Sequence, residues 1–164
     1  MKFTTIRLKH SRSEIQIESI KHYDIYSKIS TIAEFHNDFK IYKWNKFYDL
    51  IGLVDPWNLA ISEKFKSILE VNNIKGWKCY PIKIENVNTN YFLLEIIGYV
   101  GIVREYDKDG DRIYGTTEVE TKTWDGSDIF HIGETGIRVC TPKLKEIIEK
   151  AKISNIEFCD LNRY

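Results

Sequence analysis

Carboxylate side chains concentrate in one short stretch of this sequence. Asp107, Asp109 and Asp111 alternate along the chain, and Glu118 follows eleven positions after the first of them. Calcium-binding loops supply carboxylates at alternate positions and a distal glutamate. Such a loop needs glycine at its sixth position for a sharp turn, and this chain has Arg112 there. The spacing therefore favours a solvated hairpin tip over a metal site, because the Asp-Gly pair within it is a strong turn signal.

The same acidic stretch is a candidate docking surface for another protein. Its carboxylates would match the basic cleft of a nuclease, speeding encounter and covering the substrate site. A charged, solvated hairpin without a partner is the alternative, because Arg104, Lys108, Arg112 and Lys122 dilute the negative field. The candidate partner-binding residues are Glu105, Asp107, Asp109, Asp111, Tyr114, Glu118, Glu120 and Trp124.

Residues that could perform covalent or phosphate chemistry show no recognisable arrangement. No serine or cysteine lies in a nucleophile motif, and the four histidines match no zinc spacing. His131 lies among isoleucines, so we expect it to be buried and hydrogen-bonded. The glycines form neither a phosphate loop nor a dinucleotide fingerprint. The sequence predicts no enzyme, no cofactor and no metal; a site assembled from distant residues leaves no motif, so an enzyme of unknown chemistry stays open as an alternative.

Length, composition and charge are typical of one globular domain spanning residues 1–164. The 24 basic and 24 acidic residues give no overall positive field, so we expect neither nucleic acid nor membrane as a partner. Three cysteines without CxxC spacing suit a reducing compartment. The first residues lack the apolar core of a secretory signal, and the apolar run at 91–103 is too short to span a bilayer. These features predict a cytoplasmic protein.

The clearest structural signal is an amphipathic helix after residue 61. Ser62 is a capping residue, and Phe65, Ile68 and Leu69 lie on one helical face. The helix should end near residues 72–73, and an extended segment should follow at 77–84.

A second segment has the same layout. Thr141 caps, Pro142 suits the first helical position, and an apolar stripe runs to residue 151 before a strand at 156–161. At an offset of 79 positions Ser62 aligns with Thr141 and Ile68 with Ile147, without a gap. We interpret residues 61–82 and 140–161 as internal helix–strand repeats. Similarity between unrelated amphipathic helices is the alternative.

The remaining segments read mainly as strands. Residues 91–103 predict one or two strands, 105–121 a hairpin turning at Asp109-Gly110, and 127–139 further strands. The sequence therefore predicts an α+β fold, a mostly antiparallel sheet flanked by two similar amphipathic helices.

The N-terminal third is less regular. Alternation at 3–8 and 14–20 predicts two strands. Residues 29–51 are rich in aromatic side chains at spacings that suit neither a helix nor a strand, so we expect them to be mostly irregular. Those rings either fill the core or form a binding face.

One resemblance covers residues 55–161. The segments 59–70, 77–82 and 91–97, then 128–132 and 137–141 with the second helix and strand, resemble bacterial polymorphic-toxin immunity proteins. Thr141 departs from the serine frequent at that position, and residues 1–54 match nothing in the pattern.

The resemblance implies a small cytoplasmic protein that binds the toxic domain of a cognate effector stoichiometrically and blocks it. It implies no catalytic residues. The alternative to this function, besides an enzyme, is a small-ligand or carbohydrate-binding module, which the four tryptophans and ten tyrosines suggest.

Overall fold

The chain folds into a closed six-stranded barrel and an open six-stranded sheet. A computed structural model describes residues 2–163. The strands are β1 (Thr4–Leu8), β2 (Gln16–Ser19), β3 (Asp38–Lys43), β4 (Leu50–Leu53), β5 (Leu59–Ser62), β6 (Trp77–Ile84), β7 (Tyr91–Ile96), β8 (Tyr99–Val103), β9 (Glu118–Glu120), β10 (Ile129–Ile132), β11 (Arg138–Cys140) and β12 (Ile156–Asp160). The helices are α1 (Ile29–Phe35), α2 (Glu63–Val71) and α3 (Pro142–Lys150), with 3₁₀ turns at Thr121–Thr123 and Leu161–Arg163.

The expectation of one sheet flanked by two helices is wrong. The barrel has the order β2-β3-β6-β7-β5-β4, the open sheet has the order β12-β1-β11-β10-β8-β9, and strand residues outnumber helical ones about two to one. Parallel pairing of β2 with β4, β3 with β6 and β8 with β10 joins strands that are distant along the chain. Alternation along one strand does not encode which distant strand it pairs with, so the sequence could not show two sheets.

Several strands are buried on both faces, which explains their continuous apolar runs. Every residue of β4 and β5 is buried. Ile51 and Ala60 face the barrel interior, whereas Leu50 and Ile61 face a second cluster outside the barrel wall. Burial on both faces stabilises these strands without the polar alternation of a solvated sheet.

That second cluster, here called the central core, joins the barrel to the open sheet. Phe65 from α2 and Leu144 from α3 are buried there together with residues of β1, β5, β7, β10 and β11. Ile129 of the open sheet and Ile61 of the barrel belong to the same cluster. The two sheets therefore share one hydrophobic core.

Both predicted helix caps are confirmed. Ser62 Oγ accepts a hydrogen bond from Phe65 N at 3.2 Å, and Thr141 Oγ1 accepts one from Leu144 N at 3.3 Å. Pro142 occupies the first turn of α3, as expected. Each cap satisfies one of the backbone donors that a helix start leaves free.

Two aspartates make matching contacts at the same offset of 79. Asp49 accepts from Ser62 Oγ at 2.8 Å and from the backbone N of Ser154, after α3, at 2.9 Å. Asp128 accepts from Thr141 Oγ1 at 3.3 Å and from the backbone N of Lys75, after α2, at 3.0 Å. Each aspartate thus binds the cap of one helix and the loop that follows the other helix.

When the chain is divided between β6 and β7, the first strand of each part lies in the sheet built mostly from the other part. β1 pairs with β11 and β12, while β7 pairs with β5 and β6. We call β2–β7 with α1 and α2 the barrel half, and β1 and β8–β12 with α3 the open half. The chain therefore passes from one half to the other after β1 and again after β7.

The predicted strands of the N-terminal third are confirmed as β1 and β2. The expectation that residues 29–51 are mostly irregular is wrong, because they contain α1, β3 and the start of β4. β3 is exposed at every position except Phe39, so it lacks the alternation that identifies a strand. None of the helices in residues 2–163 is long and apolar enough to cross a membrane.

Candidate functional site

The acidic stretch forms a compact hairpin on the open half, residues 104–117 between β8 and β9. Asp107 holds its tip, because its side chain accepts hydrogen bonds from the backbone N of Asp109 and of Asp111, both at 2.9 Å. Gly110 takes a left-handed φ of 85°, as the predicted turn requires. Tyr106 pairs with Arg112 across the hairpin in an isolated bridge. Asp107 therefore has a structural role in addition to its charge.

The other predicted carboxylates face solvent or lie on the edge strand. Glu105, Asp109 and Asp111 are exposed, and Glu118 lies exposed at the start of β9. Glu120 is half-buried near Gly101. Within residues 2–163 none of the six carboxylates from Glu105 to Glu120 forms an ion pair. The structure brings five of these six side chains to one solvent-facing region.

Two tyrosines accompany the carboxylates on this hairpin. Tyr114 is 83% exposed and Tyr106 is 60% exposed. The Arg112 guanidinium lies 5.6 Å from the Tyr114 ring and donates to Thr117 Oγ1 at 2.7 Å. The Arg112 side chain is therefore held against other residues of the same hairpin.

Trp124, the last predicted contact residue, lies elsewhere. Its ring packs edge-on against Phe3 at 5.4 Å, and its Nε1 donates to Ser127 O at 3.0 Å. It covers the core of the open half with Phe130 as a neighbour. Its ring therefore contributes to packing more than to an exposed contact surface.

A groove of about 330 Å³ lies on the barrel half beside β2. Tyr23 and Asp55 line it, and the Tyr23 hydroxyl donates to Asp55 at 2.5 Å. Burial, followed by this hydrogen bond, raises the pKa of Tyr23 well above its usual value. Asp55 also accepts from the backbone N of Trp57 and from Asn58, so its hydrogen-bonding capacity is used by its own loop. The hydrogen bonds of Asp55 in this groove therefore stabilise the loop itself.

The thiols and histidines do not form a reactive group in the part of the chain described. Burial raises the pKa of the Cys140 thiol to about 12, so it stays protonated at neutral pH. Burial, and then the nearby Arg138, lowers the pKa of His131, whose ring Nδ1 is enclosed without a hydrogen-bond partner. Among residues 2–163 no three His, Cys, Asp or Glu side chains are grouped so that they could hold a metal ion.

A second surface, which sequence reasoning did not assign, lies where loops of the barrel half meet the loops that follow β1 and α3. Lys46 exchanges backbone hydrogen bonds with Ser13 and Ile15, and Tyr48 OH donates to Arg12 O at 3.2 Å. Lys9 N donates to Asn155 O at 3.1 Å. These bonds join three loops into what we call the basic–aromatic surface: Lys9, Arg12, Tyr42, Lys43, Trp44, Lys46, Phe47 and Lys152.

The aromatic side chains at 29–51 were the sequence signal for this surface. Some of these rings fill the core and others are exposed, so each of the two predicted roles applies to part of the segment. Phe39 is fully buried in the barrel. Tyr42 and Trp44 are more than half exposed, at 54% and 56%, and Phe47 is 38% exposed. Which ring is buried depends on the neighbours that the tertiary fold supplies, and the one-dimensional pattern does not contain them.

The chain matches none of the protein-family models and none of the curated proteins with which it was compared.

Proposed function

We propose that this chain is an immunity protein that binds a cognate bacterial toxin domain stoichiometrically and neutralises it in the cytoplasm of the producing cell. The acidic hairpin is the contact surface. The proposal rests on the sequence resemblance for the function and on the hairpin geometry for the site.

The observation that carries the proposal is the clustering of exposed, unpaired carboxylates on one hairpin. Many acidic side chains elsewhere have a basic partner, as Asp49 has Lys64 and Asp128 has Lys143. Glu105, Asp109 and Asp111 are exposed and have no such partner in residues 2–163. Their field is available to steer a basic partner and to match its charge in the complex.

The exposed tyrosines supply apolar contact area, which the carboxylates do not. Aromatic side chains with a polar end are enriched among the residues that dominate binding energy. Tyr106 and Tyr114 flank the carboxylates on the same hairpin. A partner with a basic cleft, such as a nuclease toxin, would bury these rings while pairing with the carboxylates.

The hairpin is anchored in the open sheet. β8 and β9 pair with each other through three residue pairs, and β8 also pairs with β10. Asp107 fixes the tip through two backbone hydrogen bonds. Little ordering of the hairpin is then needed on binding, which favours affinity.

Co-expression tests the proposal. The product of the neighbouring reading frame is induced alone and together with this chain, and growth and co-purification are measured. The triple variant Glu105→Lys, Asp109→Lys, Asp111→Lys reverses the hairpin charge and leaves Asp107 in place. The matched control is Glu34→Lys, Glu85→Lys, Glu134→Lys, which makes the same charge change at exposed positions elsewhere.

Wild type and control should restore growth and co-purify with the toxic product, whereas the hairpin variant should lose at least about tenfold in affinity and fail to restore growth. Equal rescue by the hairpin variant would contradict the assigned surface. Growth arrest by the neighbour that wild type does not relieve would contradict the immunity function.

A further inference from the structure

The residues that define the basic–aromatic surface include five basic side chains and no acidic one. The two carboxylates next to these loops are bound by neighbouring side chains. Glu14 is buried and bonded to Asn155 and His10. Asp49 is bonded to Ser62 and Ser154. The five basic side chains of the surface form no ion pair within residues 2–163: Lys9, Arg12, Lys43, Lys46 and Lys152.

Aromatic rings lie between these charges. Lys43 Nζ lies 5.5 Å from the Trp44 ring and Lys46 Nζ lies 5.1 Å from the Tyr48 ring. Trp44 and Tyr42 keep more than half of their area exposed. Large exposed rings beside unpaired cations are typical of a contact surface rather than of a solvated face.

The acidic hairpin has the opposite charge to this surface. Residues 1–90 contain 14 basic and 10 acidic residues, and residues 91–164 contain 10 basic and 14 acidic residues. The acidic excess includes the hairpin, where Glu105, Asp109 and Asp111 are exposed beside two tyrosines. Because the net charge of the chain is zero, two copies do not repel each other at long range.

We infer that the basic–aromatic surface docks the acidic hairpin of a second copy of this chain. Charge complementarity between the two surfaces favours this occupant, since both are on the same molecule and both carry exposed rings. The contact relies on exposed charges, so it should weaken as salt screens them.

Self-association would regulate the hairpin. A hairpin held by a second copy cannot contact a toxin, so the toxin must compete for it. This consequence rests on the proposed function, whereas the self-contact itself does not and can be measured without any toxin.

The test is sedimentation velocity of the purified full chain over a concentration series, at low and at high salt. Wild type should associate at about 50 mM NaCl and dissociate at least about tenfold more readily at about 500 mM NaCl. The variant Lys43→Glu, Lys46→Glu and the variant Glu105→Lys, Asp109→Lys should each be monomeric. The matched control Lys75→Glu, Lys150→Glu changes two exposed lysines outside both surfaces and should associate as wild type does.

Mixing the two monomeric variants gives the decisive measurement. The reversed hairpin of one faces the reversed surface of the other, so an equimolar mixture should regain association. A monomeric wild type at low salt, association that both variants retain, or a mixture that stays monomeric would overturn the inference.

Two further measurements keep the result unambiguous. Circular dichroism checks that the variants are folded, and Lys43→Gln, Lys46→Gln replaces the charge-reversal variant if that variant unfolds. Binding of a single-stranded oligonucleotide or a polyglutamate peptide by a wild type that does not self-associate would assign the surface to that ligand instead and overturn the second-copy contact.

Discussion

The barrel half and the open half use the same local devices and end in different architectures. In each half a capped helix follows a buried hairpin, and an aspartate thirteen residues before the cap bonds to it. The barrel closes because β3 pairs with β6 through Asp38–Lys83 and Phe39–Ile84. In the open half the residues 79 positions after Lys83 and Ile84 lie in the 3₁₀ helix Leu161–Arg163, which follows β12. β9 and β12 remain the edges of the open sheet.

The comparison shows that equivalent frameworks carry different insertions. The barrel half places α1 between β2 and β3, where Ile32 fills the barrel interior. The open half places the acidic hairpin between β8 and β9, where its side chains face solvent. Candidate function therefore lies in an inserted segment, and the shared framework supplies rigidity.

The largest expected effect comes from the central core, which the two halves share. Phe65→Ala and Leu144→Ala should lower the free energy of unfolding by about 3–5 and 2–5 kcal/mol, because each removes a fully buried side chain. Urea denaturation measures the loss. Hydrogen exchange should show β4 and β10 losing protection together in either variant, because one core supports both.

Val71→Ala is the control on α2, since Val71 is exposed and its truncation should change stability by no more than about 0.5 kcal/mol. Loss of protection confined to the half that carries the substitution would contradict a shared core.

An intermediate effect separates the two aspartates. Asp49→Asn should cost about 2–4 kcal/mol, because Asp49 accepts hydrogen bonds at 2.8–2.9 Å from Ser62 and Ser154. Asp128→Asn should cost about 1–2 kcal/mol, because the bonds from Lys75 and Thr141 are longer, at 3.0 and 3.3 Å. Urea denaturation of both variants at pH 7 measures the difference.

Acid pH sharpens the test for Asp49. Burial raises the pKa of Asp49, but hydrogen bonds from Ser154 and Ser62 together with attraction to Lys64 outweigh burial and hold it below the usual value. A lowered pKa in the folded state stabilises the protein above the unfolded pKa of about 3.9, and the contribution is lost as pH falls through the folded value. The stability difference between wild type and Asp49→Asn should shrink towards pH 3. A constant difference from pH 7 to pH 3 would show that the carboxylate charge is not responsible.

The smallest expected effect is at the helix caps. Ser62→Ala and Thr141→Ala should each cost about 1 kcal/mol. Ser62→Ala should cost more, because Ser62 Oγ donates to Asp49 at 2.8 Å whereas Thr141 Oγ1 donates to Asp128 at 3.3 Å. Ser67→Ala within α2 is the control and should be close to neutral, because alanine is the better helix former. Thermal unfolding resolves the three variants. A cost at Ser67 equal to that at Ser62 would argue against capping.

Helices α2 and α3 and their caps follow from local sequence, whereas α1 has no side-chain cap and was not predicted. Ser62 and Thr141 precede amphipathic stripes, and both the capping bond and the helical period act within four residues, so the pattern identifies them without tertiary information. The acidic hairpin was predictable for the same reason, since its Asp-Gly turn closes through neighbouring residues.

The two-sheet architecture depends on contacts that no local pattern records. β3 closes the barrel through two residues that pair with β6, more than forty positions away, and its exposed side chains give no alternation. The basic–aromatic surface likewise combines loops at 9–12, 42–48 and 152, which hydrogen bonds such as Lys9 N to Asn155 O bring together. Sequence alone determined helices α2 and α3, the hairpin turn and the apolar strands, because those preferences act over a few residues, whereas it did not identify α1. Tertiary structure decided strand partners and exposed surfaces, because pairing over long loops depends on the packing of the whole chain.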